Sequence, residues 1–277
     1  MNLPQILEEL KRDSAFTANV TAWKRLRAQE AQYADFPTNL NPSLIEVIRE
    51  HGIRRLYSHQ AEAVQLILDG KNVVIVTPTA SGKTLCYNLP VLNTVLANPE
   101  ARALYLFPTK ALSQDQVTEL HDLVARFEGK LDFDIKSYTF DGDTPASARK
   151  AIRSSGHIVV TNPDMLHQGI LPHHTKWVKL FENLHTIVID ELHNYRGVYG
   201  SHLANILRRL KRICDFYGAS PRFVCCSATI ANPKELAEQV TEQPFALVDK
   251  NGAPQGEKHF ILYNPPVVNR ELGIRKS

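Results

Sequence analysis

No CxxC pair occurs among the four cysteines, Cys86, Cys214, Cys225 and Cys226. That excludes the spacing of a zinc ribbon or a thioredoxin-type redox pair. Adjacent Cys225 and Cys226 would face opposite sides of a strand, so buried, reduced thiols are expected, as suits a reducing cytosol. No run of 18 apolar residues occurs, and a membrane-spanning helix needs about that many. The start, MNLPQILEELKRD, carries acids and lacks an apolar core, so no secretory signal is expected. Excess charge is scarce too: 32 Lys and Arg against 29 Asp and Glu leave +3 over 277 residues. A nucleic-acid site would therefore be a local patch rather than a global field. Repeats and low-complexity tracts are absent.

What the chain does have is alternation. Short apolar runs recur at NVVIV (72–76), ALYLF (103–107), DIKSYTF (134–140), HIVVT (157–161), TIVID (186–190) and FVCCS (223–227). Runs of this length without clear polar alternation suit parallel strands covered on both faces. Between them lie helical patterns. Leu85, Leu89, Leu92 and Leu96 form one stripe, which Pro90 should kink or interrupt. Leu203, Ile206, Leu207, Leu210, Ile213 and Cys214 form another. Asn232-Pro233 looks like a cap followed by proline in the first turn. The pattern predicts a doubly wound, mostly parallel α/β sheet with helices on both faces. Residues 1–52 read as a helical extension with breaks at Pro37 and Pro42. The lobe proper is expected over 53–264, ending in a strand, a turn at Asn251-Gly252 and a second strand. An exit segment over 265–277 follows Pro265-Pro266.

The stretch TPTASGKT (77–84) follows the first apolar run and precedes a helix. Backbone N–H groups of such a turn, with the helix start, can bind a phosphate chain. Gly82 lets the backbone approach closely, Lys83 can reach terminal phosphates, and Thr84 offers a hydroxyl to Mg²⁺. The usual pattern has glycine where Thr77 stands. A second signal is TIVIDELH (186–193): Asp190 ends a strand, where open α/β sheets bind ligands. Its carboxylate can hold Mg²⁺, and Glu191 beside it can orient or deprotonate a water. The plain alternative, a solvated pair of acids at a strand end, weakens once both features share one chain.

Together DELH (190–193), TPTASGKT and SAT (227–229) resemble the ATPase motifs of superfamily 2 helicases, in which the first loop glycine is often replaced. The resemblance implies a RecA-like lobe that binds ATP and Mg²⁺ through Thr77, Pro78, Thr79, Ala80, Ser81, Gly82, Lys83 and Thr84, with Asp190 on the metal and Glu191 and Lys83 catalytic. LYSHQAEAV (56–64) resembles the glutamine motif, so Gln60 would read the adenine edge with Tyr57 near it. PTKALSQDQ (108–116) and TNPDML (161–166) resemble the two strand-end motifs that hold a single strand. They imply nucleic-acid contacts at Thr109, Lys110, Thr161 and Asn162, and Arg196 is a further candidate. Capping of turns by Thr or Asn is the plain alternative. His193, with Ser227 and Thr229, would couple ATP to the nucleic-acid side. DGDT (141–144), LPHHTKW (171–177) and ELHNYRGVYGSH (191–202) narrow the resemblance to the Hrq-type DNA helicases and their bacterial mitomycin-repair branch.

That branch implies single-stranded DNA as partner, a 3′-tailed duplex for the full protein, 3′-to-5′ movement, a monomer, and a bacterial cytoplasmic, nucleoid-associated setting. The alternatives are an RNA helicase lobe or, for the isolated chain, a non-catalytic nucleic-acid docking module. No QxxGRxGR-like motif follows Thr229, so the second lobe and its arginine finger are expected elsewhere in cis, and this chain alone is expected to bind ATP–Mg²⁺ weakly, hydrolyse it little and not unwind. No zinc is expected in this segment. The run RRLKR (208–212) lies opposite the apolar stripe and reads as a solvated face, and Trp177 reads as buried rather than as a stacking platform.

Overall fold

A computed structural model of the chain describes residues 2–269, 274 and 275, leaving aside the side chains of 110–115 and of 267 onward. The chain parts into two compact units, one of them Gln32–Ala253 and the other made of the segments up to Ala31 and from Pro254.

The larger unit is built on seven strands: β1 (Val73–Val76), β2 (Arg102–Leu106), β3 (Ser137–Thr139), β4 (Ile158–Thr161), β5 (Leu184–Ile189), β6 (Arg222–Ser227) and β7 (Ala246–Val248). Their order is β7-β1-β6-β5-β2-β4-β3, and every neighbouring pair is parallel. All six apolar runs are therefore strands of one sheet, buried on both faces as their composition requires. Alternate residues feed two cores. Val74, Val76, Leu104, Leu106, Ile187, Ile189 and Cys225 pack on one side with the stripe Leu203, Leu207, Leu210 and Cys214 of the helix Gly197–Tyr217. Val73, Ile75, Tyr105, Val188 and Cys226 pack on the other with Leu89 and Leu92 of the helix Lys83–Ala97. Cys225 and Cys226 thus face opposite sides. Burial pushes the Cys86 and Cys214 thiols up to about 12, so neither is a nucleophile at neutral pH.

Three local expectations change. The helix Lys83–Ala97 runs through Pro90 without interruption. Leu89, Pro90, Val91 and Leu92 are all buried there, and that packing offsets the hydrogen bond the ring removes. Helices do form at Leu3–Arg12, Ser14–Thr17 and Pro42–Glu50, but Val20–Leu26 is a strand. It pairs antiparallel with Lys258–Tyr263 inside the smaller unit, a distant partner that local pattern could not reveal. Of the two strands read near the C-terminus, Lys258–Tyr263 is thus the partner of Val20–Leu26, while Ala246–Val248 joins the large sheet. Pro42–Glu50, on the stretch read as an extension, buries Leu44, Val47 and Ile48 in the larger unit's core. Among the described residues no helix is long and apolar enough to cross a membrane.

Candidate active site

The parallel order places three loops side by side at the C-terminal strand ends. β1, β6 and β5 are neighbours, and Val76 lies opposite Ser227 in register. Residues 77–82, 190–193 and 227–229 therefore converge on one edge of the sheet, where such folds place ligands.

The first loop turns on left-handed backbone. Gly82 has φ 77° and Ala80 φ 61°. The left-handed backbone favours glycine there, and a Cβ at Gly82 would come within 2.5 Å of Gln60 Nε2 and displace that amide. Buried Thr77 pairs its hydroxyl with that of Ser81 at 2.6 Å, closing the loop at the position usually held by glycine. Pro78 is half-buried, and Thr79 and Ala80 form the exposed tip. Lys83 Nζ donates to the carbonyls of Thr77 (2.9 Å) and Pro78 (3.2 Å). The ammonium is held over the loop by backbone oxygens that phosphate oxygens could replace. No side chain caps Gly82 at the helix start, so the first helical N–H groups remain available to an anion.

Gln60 links this loop to the upstream motif. Its Oε1 accepts the Tyr57 N–H at 2.9 Å and its Nε2 donates to the Gly82 carbonyl at 2.9 Å. Beside it lies a cleft of about 490 Å³ lined by Tyr33, Arg55, Tyr57, Gln60, Gly82 and Leu85, among others. The Tyr33 and Tyr57 rings stack at 5.4 Å, and the Arg55 guanidinium lies 5.9 Å from the Tyr33 ring. Sequence reading missed Tyr33 and Arg55. Tyr33 is brought in by a short antiparallel pairing with Tyr57, which leaves no periodic signal.

The two expected metal ligands are joined through residues that sequence reading also missed. Thr84 donates its hydroxyl to Gln116 Oε1 at 2.6 Å. The Tyr87 hydroxyl lies 3.3 Å from that oxygen and 3.4 Å from Asp190 Oδ2. Tyr87 follows Thr84 by three residues, so helical spacing could have flagged it. Gln116 closes the quoted PTKALSQDQ stretch. The donors at this point are hard oxygens, which suit Mg²⁺. Among the described residues no three His, Cys, Asp or Glu converge on one point. Such a site would rely on phosphate oxygens and water to complete the shell, the usual habit of Mg²⁺.

Asp190 and Glu191 are adjacent but differently placed. Asp190 is buried, and burial, reinforced by the Glu191 charge, raises its pKa to about 6 despite the Glu191 N–H, Lys83 and Tyr87 favouring the anion. Its Oδ1 accepts the Glu191 N–H at 2.8 Å. Glu191 itself has φ 51° and ψ 43°, a left-handed conformation that costs a non-glycine residue about 1–2 kcal/mol. Its carboxylate lies 3.2 Å from His193 Nδ1. The same nitrogen accepts the Ala228 N–H at 3.2 Å. One ring nitrogen can accept from Ala228 or donate to Glu191, not both. Ser227 is buried and donates its hydroxyl to the Ala228 carbonyl at 2.8 Å, while Thr229 is exposed.

The strand-end candidates differ from one another. Thr161 is buried and donates its hydroxyl to the Phe140 carbonyl at 2.6 Å. Asn162 caps a short helix, its side chain accepting the Met165 N–H at 2.8 Å. Thr109 and Arg196 are exposed, and the Lys110 side chain lies outside the described residues. Arg208 and Lys211 of RRLKR both close on Glu242, at 2.8 and 2.9 Å. Trp177 is buried.

Asp190 carries a testable pH dependence. A carboxyl with a raised folded-state value favours its protonated form in the fold, so its burial weakens stability above about 6 and ceases to do so toward the ordinary acid range. Metal binding needs the anion. Mg²⁺-dependent nucleotide affinity should fall roughly tenfold between pH 7 and pH 5. Calorimetric titration would measure this, and Asp190→Asn should flatten the profile. An unaltered profile in the variant would remove Asp190 from the site.

The model of the DEAD/DEAH box helicase family matches residues 57–236. YprA of Bacillus subtilis, an uncharacterized ATP-dependent helicase, is 56% identical over 98% of this chain and 36% of its own length. The ATP-dependent helicase hrq1 of Schizosaccharomyces pombe is 37% identical over 97% of this chain and 26% of its own. A crystal structure of the DUF1998 helicase MrfA bound to DNA and AMPPNP superposes with a TM-score of 0.92 at 55% identity, covering this whole chain and 37% of that one. The 277 residues thus span about a third of the relatives they match.

Proposed function

The chain belongs to the DEAD/DEAH box helicase family, and we propose that it is the first motor lobe of an ATP-dependent DNA helicase that moves 3′ to 5′ on single-stranded DNA and acts in repair of mitomycin-type lesions. The observation that carries this reading is the convergence of Lys83, Thr84, Asp190 and Glu191 on one sheet edge, with Thr84 and Asp190 linked through Gln116 and Tyr87. The fold is the RecA-like lobe the motifs imply, and hrq1 and MrfA belong to the branch anticipated from DGDT, LPHHTKW and ELHNYRGVYGSH.

In this reading Lys83 and the loop amides bind the phosphates, while Thr84 and Asp190 hold Mg²⁺, which neutralises phosphate charge when bound. Gln60 and Tyr57 orient the base. Glu191 takes a proton from the attacking water. His193 exchanges its Nδ1 between Glu191 and the Ala228 N–H, so a shift of the 227–229 loop alters the acid's environment. DNA runs past Thr109, Lys110, Arg196 and the backbone at Thr161 and Asn162, since the Thr161 hydroxyl and the Asn162 carbonyl oxygen already have partners. The lobe spans 53–264, with an N-terminal extension over 1–52 and an interlobe linker from 265; within the extension, Pro42–Glu50 packs into the core of the compact unit Gln32–Ala253. The protein acts as a monomer in the bacterial cytoplasm, and a second lobe in cis supplies the arginine finger.

Steady-state ATPase tests this. Turnover of the full-length protein should be stimulated by single-stranded DNA and exceed that of the 277 residues by roughly 10³-fold, the contribution such fingers make elsewhere. DNA-stimulated turnover by this chain alone at the full rate would overturn the split site. Equal stimulation by a matched RNA strand would overturn the assignment to DNA.

A further inference from the structure

Charge is nearly balanced over the chain, yet not over one part of its surface. The stretches 146–155 and 171–182 carry Arg149, Lys150, Arg153, Lys176 and Lys179 against a single acid, the exposed Glu182, in a chain whose total is only +3. Arg149 has structural work, with Nε on the Thr144 carbonyl at 2.9 Å and its guanidinium 5.5 Å from the Phe140 ring. The other four cations surround a cleft of about 450 Å³ whose remaining lining is Ser154 and Val178.

The cleft is held by rigid parts. Ile152 of the helix Ala146–Ser155 and Leu180 and Phe181 of the helix Val178–Glu182 share one buried core with Trp177. Their burial turns the cationic faces outward. Lys150, Lys176 and Lys179 are exposed, and none of the four cations has an ion pair among the described residues. Arg208 and Lys211, by contrast, close on Glu242. Arg153 donates its Nε to the Arg149 carbonyl at 2.9 Å, which fixes the side chain without neutralising it. Four cations without an acid partner around one cleft repel one another, and a polyanion relieves that repulsion.

Position separates this cleft from the ATP and single-strand loops. The helix Ala146–Ser155 ends just before β4 begins at Ile158, and the helix Val178–Glu182 ends just before β5 begins at Leu184. Arg153, Ser154 and Lys179 therefore lie toward the N-terminal ends of the strands, opposite the edge that carries residues 77–84 and 190–193.

We propose that this cleft is a second DNA site, which holds the phosphate backbone of duplex DNA. The proposal rests on the helicase reading above for the identity of the polyanion. Duplex is favoured over single strand because no aromatic among the described residues lines the cleft, and Trp177 is buried, whereas single-strand grips use stacked aromatics. Lysines, an arginine and a serine hydroxyl are the groups that contact sugar-phosphate backbone without reading bases.

The test is fluorescence anisotropy on the 277-residue chain with a blunt duplex and with oligo-dT, each over a range of salt. Replacing the four together, Lys150→Gln, Arg153→Gln, Lys176→Gln and Lys179→Gln, should weaken duplex binding about tenfold or more and flatten its log–log salt slope by about 2–4. Oligo-dT binding, AMPPNP–Mg²⁺ affinity and melting temperature should stay as they were. A second variant that keeps the charge, Lys150→Arg with Lys176→Arg and Lys179→Arg, should retain duplex binding. Duplex affinity and slope unchanged by the glutamine variant would overturn the proposal and leave an acidic protein as the cleft's partner. Equal losses on both probes would overturn its assignment to duplex. An unaltered chain that binds neither probe would instead remove the DNA reading on which the proposal stands.

Discussion

Lys83→Ala abolishes Mg²⁺-dependent nucleotide binding, lowering affinity by a factor on the order of 10²–10³, and leaves the fold in place. The size follows from what the ammonium would do. Charge-assisted hydrogen bonds contribute about 1.5–3 kcal/mol each, and one lysine can make two to terminal phosphate oxygens in a partly closed site. The fold survives because, among the described residues, Lys83 donates only to the Thr77 and Pro78 carbonyls, in a loop whose tip is already exposed. Water can reach those oxygens once the side chain is gone. Lys83→Arg should not rescue binding, because a planar fork cannot replace a point charge there. Calorimetric titration with AMPPNP and Mg²⁺, beside thermal melting, measures both halves. Retained affinity in Lys83→Ala would remove the 77–84 loop from the nucleotide site.

The sheet was legible in the sequence because its strands are buried on both faces, and such strands write themselves as short unbroken apolar runs. The helix Gly197–Tyr217 was legible for the complementary reason, one apolar stripe on a polar helix. Val20–Leu26 was not. Its burial alternates weakly, with only Val20 and Trp23 partly covered, and its partner Lys258–Tyr263 lies over 200 residues away. The same physics divides the site. Gly82, Lys83, Asp190 and Glu191 sit in contiguous motifs whose spacing is set by one turn or one strand end. Tyr33 and Gln116 enter through tertiary pairing, so their roles follow only from coordinates. Thr161 illustrates the converse: its place in a motif suggested a phosphate contact, while its hydroxyl is bonded inside the sheet. Pro90 shows the limit of local rules, because a helix packed on both sides of a proline does not break there.

The second large effect concerns the two adjacent acids. Glu191→Gln should leave nucleotide affinity within about threefold and reduce DNA-stimulated turnover in the full-length protein by roughly 10²–10⁴, the usual contribution of a positioned general base. The division of labour rests on environment. Asp190 is buried, its carboxylate bonded to the Glu191 N–H and near Tyr87, which suits holding a cation rather than meeting a mobile water. Glu191 is about a third exposed at its side chain and, among the described residues, reaches only His193, so water can approach it. Glutamine keeps the length and shape of the side chain and accepts the same left-handed backbone, so stability should change by less than about 0.5 kcal/mol. What it loses is the basic oxygen. Its amide can still bond His193 Nδ1, and coupling to the 227–229 loop should persist: DNA should still bind, and ATP should still alter its affinity. Single-turnover hydrolysis and DNA binding measured on one preparation separate these roles. Unchanged hydrolysis would take Glu191 out of the mechanism and leave its strained backbone to be explained by His193 alone.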